Sequence, residues 1–130
     1  MLKRLVLTFC FLLASFVAQA EMLPDLTILE VKGGNPGEIW VRIKNIGQAT
    51  SAPSSFFVFL QFASDLQARF ASPHPGLAPG EEKWVLIKSK TKFPLSKAKY
   101  SIRVNGSGKG TIKESDFSNN VKMGNFSGKP

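Results

Sequence analysis

The chain of 130 residues reads as all-β: an antiparallel sandwich of about seven short strands. Three observations carry this expectation. Apolar and polar residues alternate with a period of two in one segment after another, the pattern of strands with one buried face. Clusters of Gly, Pro, Asn and Ser separate those segments at short, regular intervals. Beyond residue 20, no stretch keeps an apolar stripe at the helical period for a useful length.

The first twenty residues stand outside this pattern. Lys3 and Arg4 make a short basic start, Leu5 to Val17 is apolar and uncharged, and Ala18-Gln19-Ala20 has the small-x-small form read by signal peptidase. A helix that crosses a bilayer needs about 20 apolar residues, and Glu21 and Pro24 cut this run short. The reading is a signal peptide over 1–20, cleaved after Ala20, and one domain over 21–130 that is secreted or periplasmic, with no membrane span after cleavage. Cleavage removes Cys10, the chain's only cysteine, which lacks the small residue before it that lipid attachment would want. The mature domain must then hold together by apolar burial without a disulfide, which its length allows.

Within the domain, Leu26 to Val31 alternates and Gly33-Gly34-Asn35-Pro36-Gly37 breaks it. Glu38 to Ile46 alternates cleanly, with Ile39, Val41 and Ile43 to one side and Arg42 and Lys44 to the other. Phe56 to Phe62 is apolar on both faces and reads as a central strand; Leu66 to Phe70 is a weaker edge candidate. Pro73 to Gly80 is excluded from strand interiors because proline lacks the ladder's donor. Lys83 to Lys88 is a fifth strand, and Lys99 to Asn105 sets Tyr100, Ile102 and Val104 against Ser101 and Arg103. A glycine-rich loop through Gly106, Gly108 and Gly110 leads to Thr111–Glu114 and a last strand over Asn120–Phe126; Ser127–Pro130 reads as a frayed end. The arrangement is that of an immunoglobulin-like sandwich.

Several of these segments carry landmarks in a fixed order: Pro24-Asp25-Leu26, then Asn45-Ile46-Gly47, Leu77-Ala78-Pro79-Gly80-Glu81, Tyr100-Ser101-Ile102-Arg103-Val104, and Glu114-Ser115-Asp116-Phe117-Ser118-Asn119-Asn120. Together they resemble the CARDB family, the cell-adhesion-related domain of bacteria, from Pro24 to about Phe126. The resemblance implies a sandwich like those of immunoglobulin and fibronectin type III domains and an adhesive or binding role. Two positions depart from the family pattern. Asn105 stands where an aspartate is usual, and Phe117 or Ser118 replaces an acidic residue in the closing motif.

The inventory of reactive side chains argues against an enzyme. No catalytic, cofactor-binding or metal-ligating residue is assigned. The one histidine, His74, lies between Pro73 and Pro75 on what reads as a surface loop, and Glu81 and Glu82 are turn neighbours that alternate to opposite sides. Zinc would want Cys and His ligands. Calcium would want clustered oxygens, for which Asn105, Glu114, Asp116 and Asn119 are the nearest set, opposed by Lys109 and Lys113. The favoured reading makes Glu114, Asn119 and Asn120 a structural closing motif whose amides satisfy backbone groups. Tyr100 is read as a structural corner tyrosine.

Two surfaces remain. Trp40, Phe57, Phe59 and Trp84 form a candidate partner surface, although the same rings could complete the core, which is the favoured reading. Lys88, Lys90 and Lys92 would ladder along one side if their strand continues; otherwise they guard a solvated edge. The net charge of +8, reduced to +6 once Lys3 and Arg4 are removed, allows weak binding to anionic polymers and implies no specific nucleic acid. The expected function is a non-catalytic interaction or adhesion module for a protein or glycan of the cell envelope. The alternatives are a structural subunit joined by strand addition, or an accessory or inhibitor of an extracellular enzyme that acts through Ser72–Pro79.

Overall fold

Seven strands pair into two antiparallel sheets in the computed structural model, which describes residues 22–62, 65–91, 94–105 and 112–126. One sheet has the order β1 (Leu26–Gly33), β2 (Glu38–Asn45), β5 (Glu82–Lys88). The other has the order β4 (Gln67–His74), β3 (Ser54–Gln61), β6 (Lys99–Arg103), β7 (Val121–Asn125). The expected all-β, immunoglobulin-like sandwich is therefore the fold. The signal peptide assigned to 1–20, the Gly106–Gly110 loop and Ser127–Pro130 lie outside the described residues.

Alternation decides which side chains meet between the sheets. Ile39, Val41 and Ile43 of β2 are fully buried and pair with Ile87, Val85 and Lys83 of β5. Phe56, Val58 and Leu60 of β3 face them from the other sheet, with Ile102 opposite Val58 and Tyr100 opposite Leu60. Leu26, Leu77 and Val104 close the layer. At about 25 cal/mol per Å² of buried apolar surface, each such side chain contributes about 1.5–3 kcal/mol, enough to hold a domain of this size.

Three segments differ from expectation. β4 runs on through Ser72 and Pro73 to His74, paired with Phe56, Ser55 and Ser54. Proline is tolerated there because β4 is the outer strand of its sheet, so no neighbour needs the missing donor. β5 ends at Lys88 as expected, whereas β6 stops at Arg103 and Ile112–Glu114 forms no strand. At the β1 edge a register shift between Ile28 and Glu30 leaves Leu29 exposed; such a bulge discourages further pairing along an open edge.

Candidate functional site

The four aromatic residues grouped as a candidate partner surface occupy two opposite sides of the molecule. Trp40 and Trp84 stand on the outer face of the three-stranded sheet, because β2 and β5 turn Val41, Ile43 and Ile87 inward. Phe57 and Phe59 stand on the outer face of the four-stranded sheet, because β3 turns Phe56, Val58 and Leu60 inward. With Phe57 at 42 % and Trp84 at 39 % exposure and Trp40 and Phe59 half-buried on the outer faces, the favoured reading that these rings complete the core is corrected: none of the four lies between the sheets. Strand neighbours do place Trp84 and Trp40 near each other, since Trp84 faces Arg42 and Leu86 faces Trp40 in the register.

The two outer faces differ in electrostatics. On the three-stranded sheet, Arg42 bridges Glu30 and Glu82, each at 3.2 Å. Lys32 Nζ lies 4.4 Å from the centre of the Trp84 ring, and the Arg42 guanidinium lies 5.6 Å from it. Arg42, Lys32 and Trp84 on this face are thus engaged with neighbouring charges or rings. On the four-stranded sheet, Phe59 lies between Arg69 and Ser101, and Ser101 is followed by Met123. The next row sets Phe57 between Ala71 and Arg103, with Val121 beyond. Arg69 lies over the Phe59 ring at 5.0 Å, and Met123 is 74 % exposed.

β5 ends at Lys88, so the strand that a lysine ladder would need does not continue. Lys88 ends β5 on its outer face, Lys90 lies in the connection beyond the strand, and Lys92 lies outside the described residues.

The closing motif builds a buried polar junction. Glu114, 5 % exposed, accepts the Leu26 amide at 2.5 Å through Oε1. Its Oε2 accepts from Asn105 Nδ2 at 2.6 Å and Asn120 Nδ2 at 2.5 Å. Asn105 sits at φ 55, a left-handed conformation that Asn tolerates better than most residues. Its amide also brackets Ile112, accepting the Ile112 N–H at 2.6 Å and donating to the Ile112 carbonyl at 2.7 Å. Asn119 Nδ2 donates to Asp25 Oδ1 at 2.8 Å, and Asn120 Nδ2 reaches the Val104 carbonyl at 3.4 Å. The junction ties the start of β1 to the approach to β7.

Of the residues weighed for calcium, Asn105 and Glu114 bond each other, Asn119 is turned to Asp25, and Asp116 accepts the Ser118 amide and hydroxyl. Those two bonds hold the exposed Asp116 carboxyl below its ordinary pKa. Among the described residues no three His, Cys, Asp or Glu side chains stand together as a ligand set.

His74 is no surface-loop residue: it ends β4 at 2 % exposure. Its Nε2 accepts the Asn105 amide at 3.2 Å, and Nδ1 faces the Pro75 carbonyl at 3.1 Å, a pairing that suits the neutral tautomer protonated at Nδ1. Burial lowers its pKa, only partly offset by the Pro75 contact. Ser72–His74 belong to β4 and Leu77 is fully buried and bonded to Ser51 and Asn45, so Ser72–Pro79 does not form a protruding loop. Tyr100 packs its ring on Phe126, 4.7 Å between centroids.

Asn45 is a central residue that the reading of the sequence missed. Fully buried, it accepts the Asp25 and Gly47 amides and donates to the Ala49 and Leu77 carbonyls. Met123, Arg69 and Arg103 were also missed; the alternation of Val121, Met123 and Asn125 was the signal available for the first.

A sequence model of the CARDB family matches residues 23–124. No curated protein and no solved structure matches the chain.

Proposed function

The chain belongs to the CARDB family, and from that premise we propose that it is an exported, non-catalytic interaction module that binds a component of the bacterial cell envelope. Family membership supports an adhesion-related role. The observation that carries the reading is the division of labour among side chains. The buried polar residues Asn45, His74, Asn105, Glu114 and Asn120 are engaged with backbone or with one another, whereas large apolar side chains project from the outer faces. Groups bonded into the scaffold are poor candidates for chemistry on a substrate, and projecting apolar side chains are what a partner can cover. Export through the leader brings the domain to the envelope, and no helix among the described residues is long and apolar enough to cross a membrane.

The test is direct. The protein recovered after export has the mass of a chain beginning at Glu21, and it binds an envelope fraction of the producing cell saturably, in competition with unlabelled protein. Binding that rises linearly without saturation counts against the interaction role, and an intact mass that retains residues 1–20 counts against export by cleavage.

A further inference from the structure

The two outer faces offer a choice of binding surface, and their chemistry decides it. The three-stranded sheet carries Glu30, Glu38 and Glu82, and its Arg42 is held between two of them. The strands of the other sheet, SSFFVFLQ, QARFASPH, KYSIR and VKMGN, contain no acidic residue at all. Their outward positions carry Arg69, Lys99 and Arg103, and among the described residues no carboxylate lies within ion-pair distance of any of the three. Between these cations lie Phe57, Phe59 and Met123. Aromatic residues, methionine and arginine are the types enriched where proteins meet proteins.

We propose that the outer face of the four-stranded sheet is the docking surface, and that its occupant is an envelope protein presenting apolar side chains within an acidic rim. This rests on the reading of the chain as an interaction module and names the face and the partner's chemistry. A second copy is a poor occupant, because stacking two such faces sets cations against cations with no carboxylate to separate them. A glycan is disfavoured as well: the Arg69 guanidinium lies over the Phe59 ring, where a sugar would stack. Four strands about 4.8 Å apart and up to about 27 Å long give a face on the order of 500 Å² in projection. A standard interface takes about 800 Å² per partner, so the contact is a reversible one.

The experiment uses the full chain with Cys10→Ser and an environment-sensitive dye on Met123→Cys, or on Lys88→Cys as a reporter on the opposite face. Three probes are titrated: detergent-solubilised envelope protein, phosphatidylglycerol vesicles and heparin. The expected result is a saturable emission shift at position 123 with envelope protein. It is absent at position 88, abolished by protease treatment of the probe, and weakened at least tenfold by Arg69→Glu/Arg103→Glu at unchanged melting temperature. Weakening of that response by added salt is also expected. A shift at position 88 instead, an undiminished response in the double variant, or a stronger response to vesicles or heparin overturns the docking surface while leaving an interaction role standing. Absence of saturable binding to any probe by the dye-free chain overturns both.

Discussion

A carboxylate at 5 % exposure needs donors, and Glu114 draws on three, from Leu26, Asn105 and Asn120. Removing the acceptor strands all of them inside the protein, whereas removing one donor strands only part of the network. Each buried group left unsatisfied costs about 1–3 kcal/mol. Glu114→Ala is therefore expected to lower unfolding stability by about 3 kcal/mol or more, and Asn120→Ala by about 1–3 kcal/mol. Urea titration checks both, and equal losses would show that the bonds do not act as a network. His74 gives a pH dependence of definite sign. Its folded pKa lies below the ordinary value near 6.5, so the unfolded chain binds the proton more tightly. Its contribution is complete above that ordinary value and is lost as pH falls from there toward the lowered folded value. The urea midpoint should fall between about pH 7.5 and about pH 5, and His74→Gln should flatten that slope.

Between neighbouring elements, close approach matters more than turn propensity. A Cβ on Gly47 would press against the Asp25 amide nitrogen and lie 2.6 Å from the Leu23 carbonyl oxygen, because the chain entering β1 crosses directly over this turn. A Cβ on Gly80 would meet nothing within 4 Å, but the residue has φ +79. Gly47→Ala should then cost on the order of 3 kcal/mol by forcing backbone apart, and Gly80→Ala only about 1–2 kcal/mol of conformational strain. Thermal melts of the two variants side by side test the order. Element by element, strands with a clean period of two were readable. The inward parity of 39, 41 and 43 even extends to Asn45, so its burial could have been inferred from phase alone. β4 was cut short because whether a proline sits on an outer strand depends on sheet order, which is non-local. The same holds for the aromatic rings: alternation shows that Trp40 and Phe57 oppose the core residues of their strands, but not that those strands lie in different sheets.

For the molecule as a whole, cohesion comes from the apolar layer and the polar junctions gathered around the start of β1. The surface ion pairs of Arg42 join side chains 35–48 % exposed, and such pairs add little. The mature chain is expected to melt at the same temperature with and without a chelator, and with and without a thiol reductant. A drop with chelator in calorimetry would reveal a metal contribution to folding. The sandwich was legible because a two-layer fold repeats its signal in every strand. The hydrogen-bond junction was legible only as a cluster of Asn and Glu, since the amide that anchors it, Leu26, lies 88 residues away in the chain.

The placement of the tryptophans has an optical consequence. Both of the chain's indoles, Trp40 and Trp84, belong to the outer face of the three-stranded sheet, and the one tyrosine, Tyr100, is buried. Native ultraviolet emission therefore reports the surroundings of one side of the sandwich, with Lys32 beside the Trp84 ring. A protein settling on Phe57 and Met123 would leave that emission unchanged, so intrinsic fluorescence is blind to docking on the opposite side. A change in its colour would instead signal disturbance of the indole face itself.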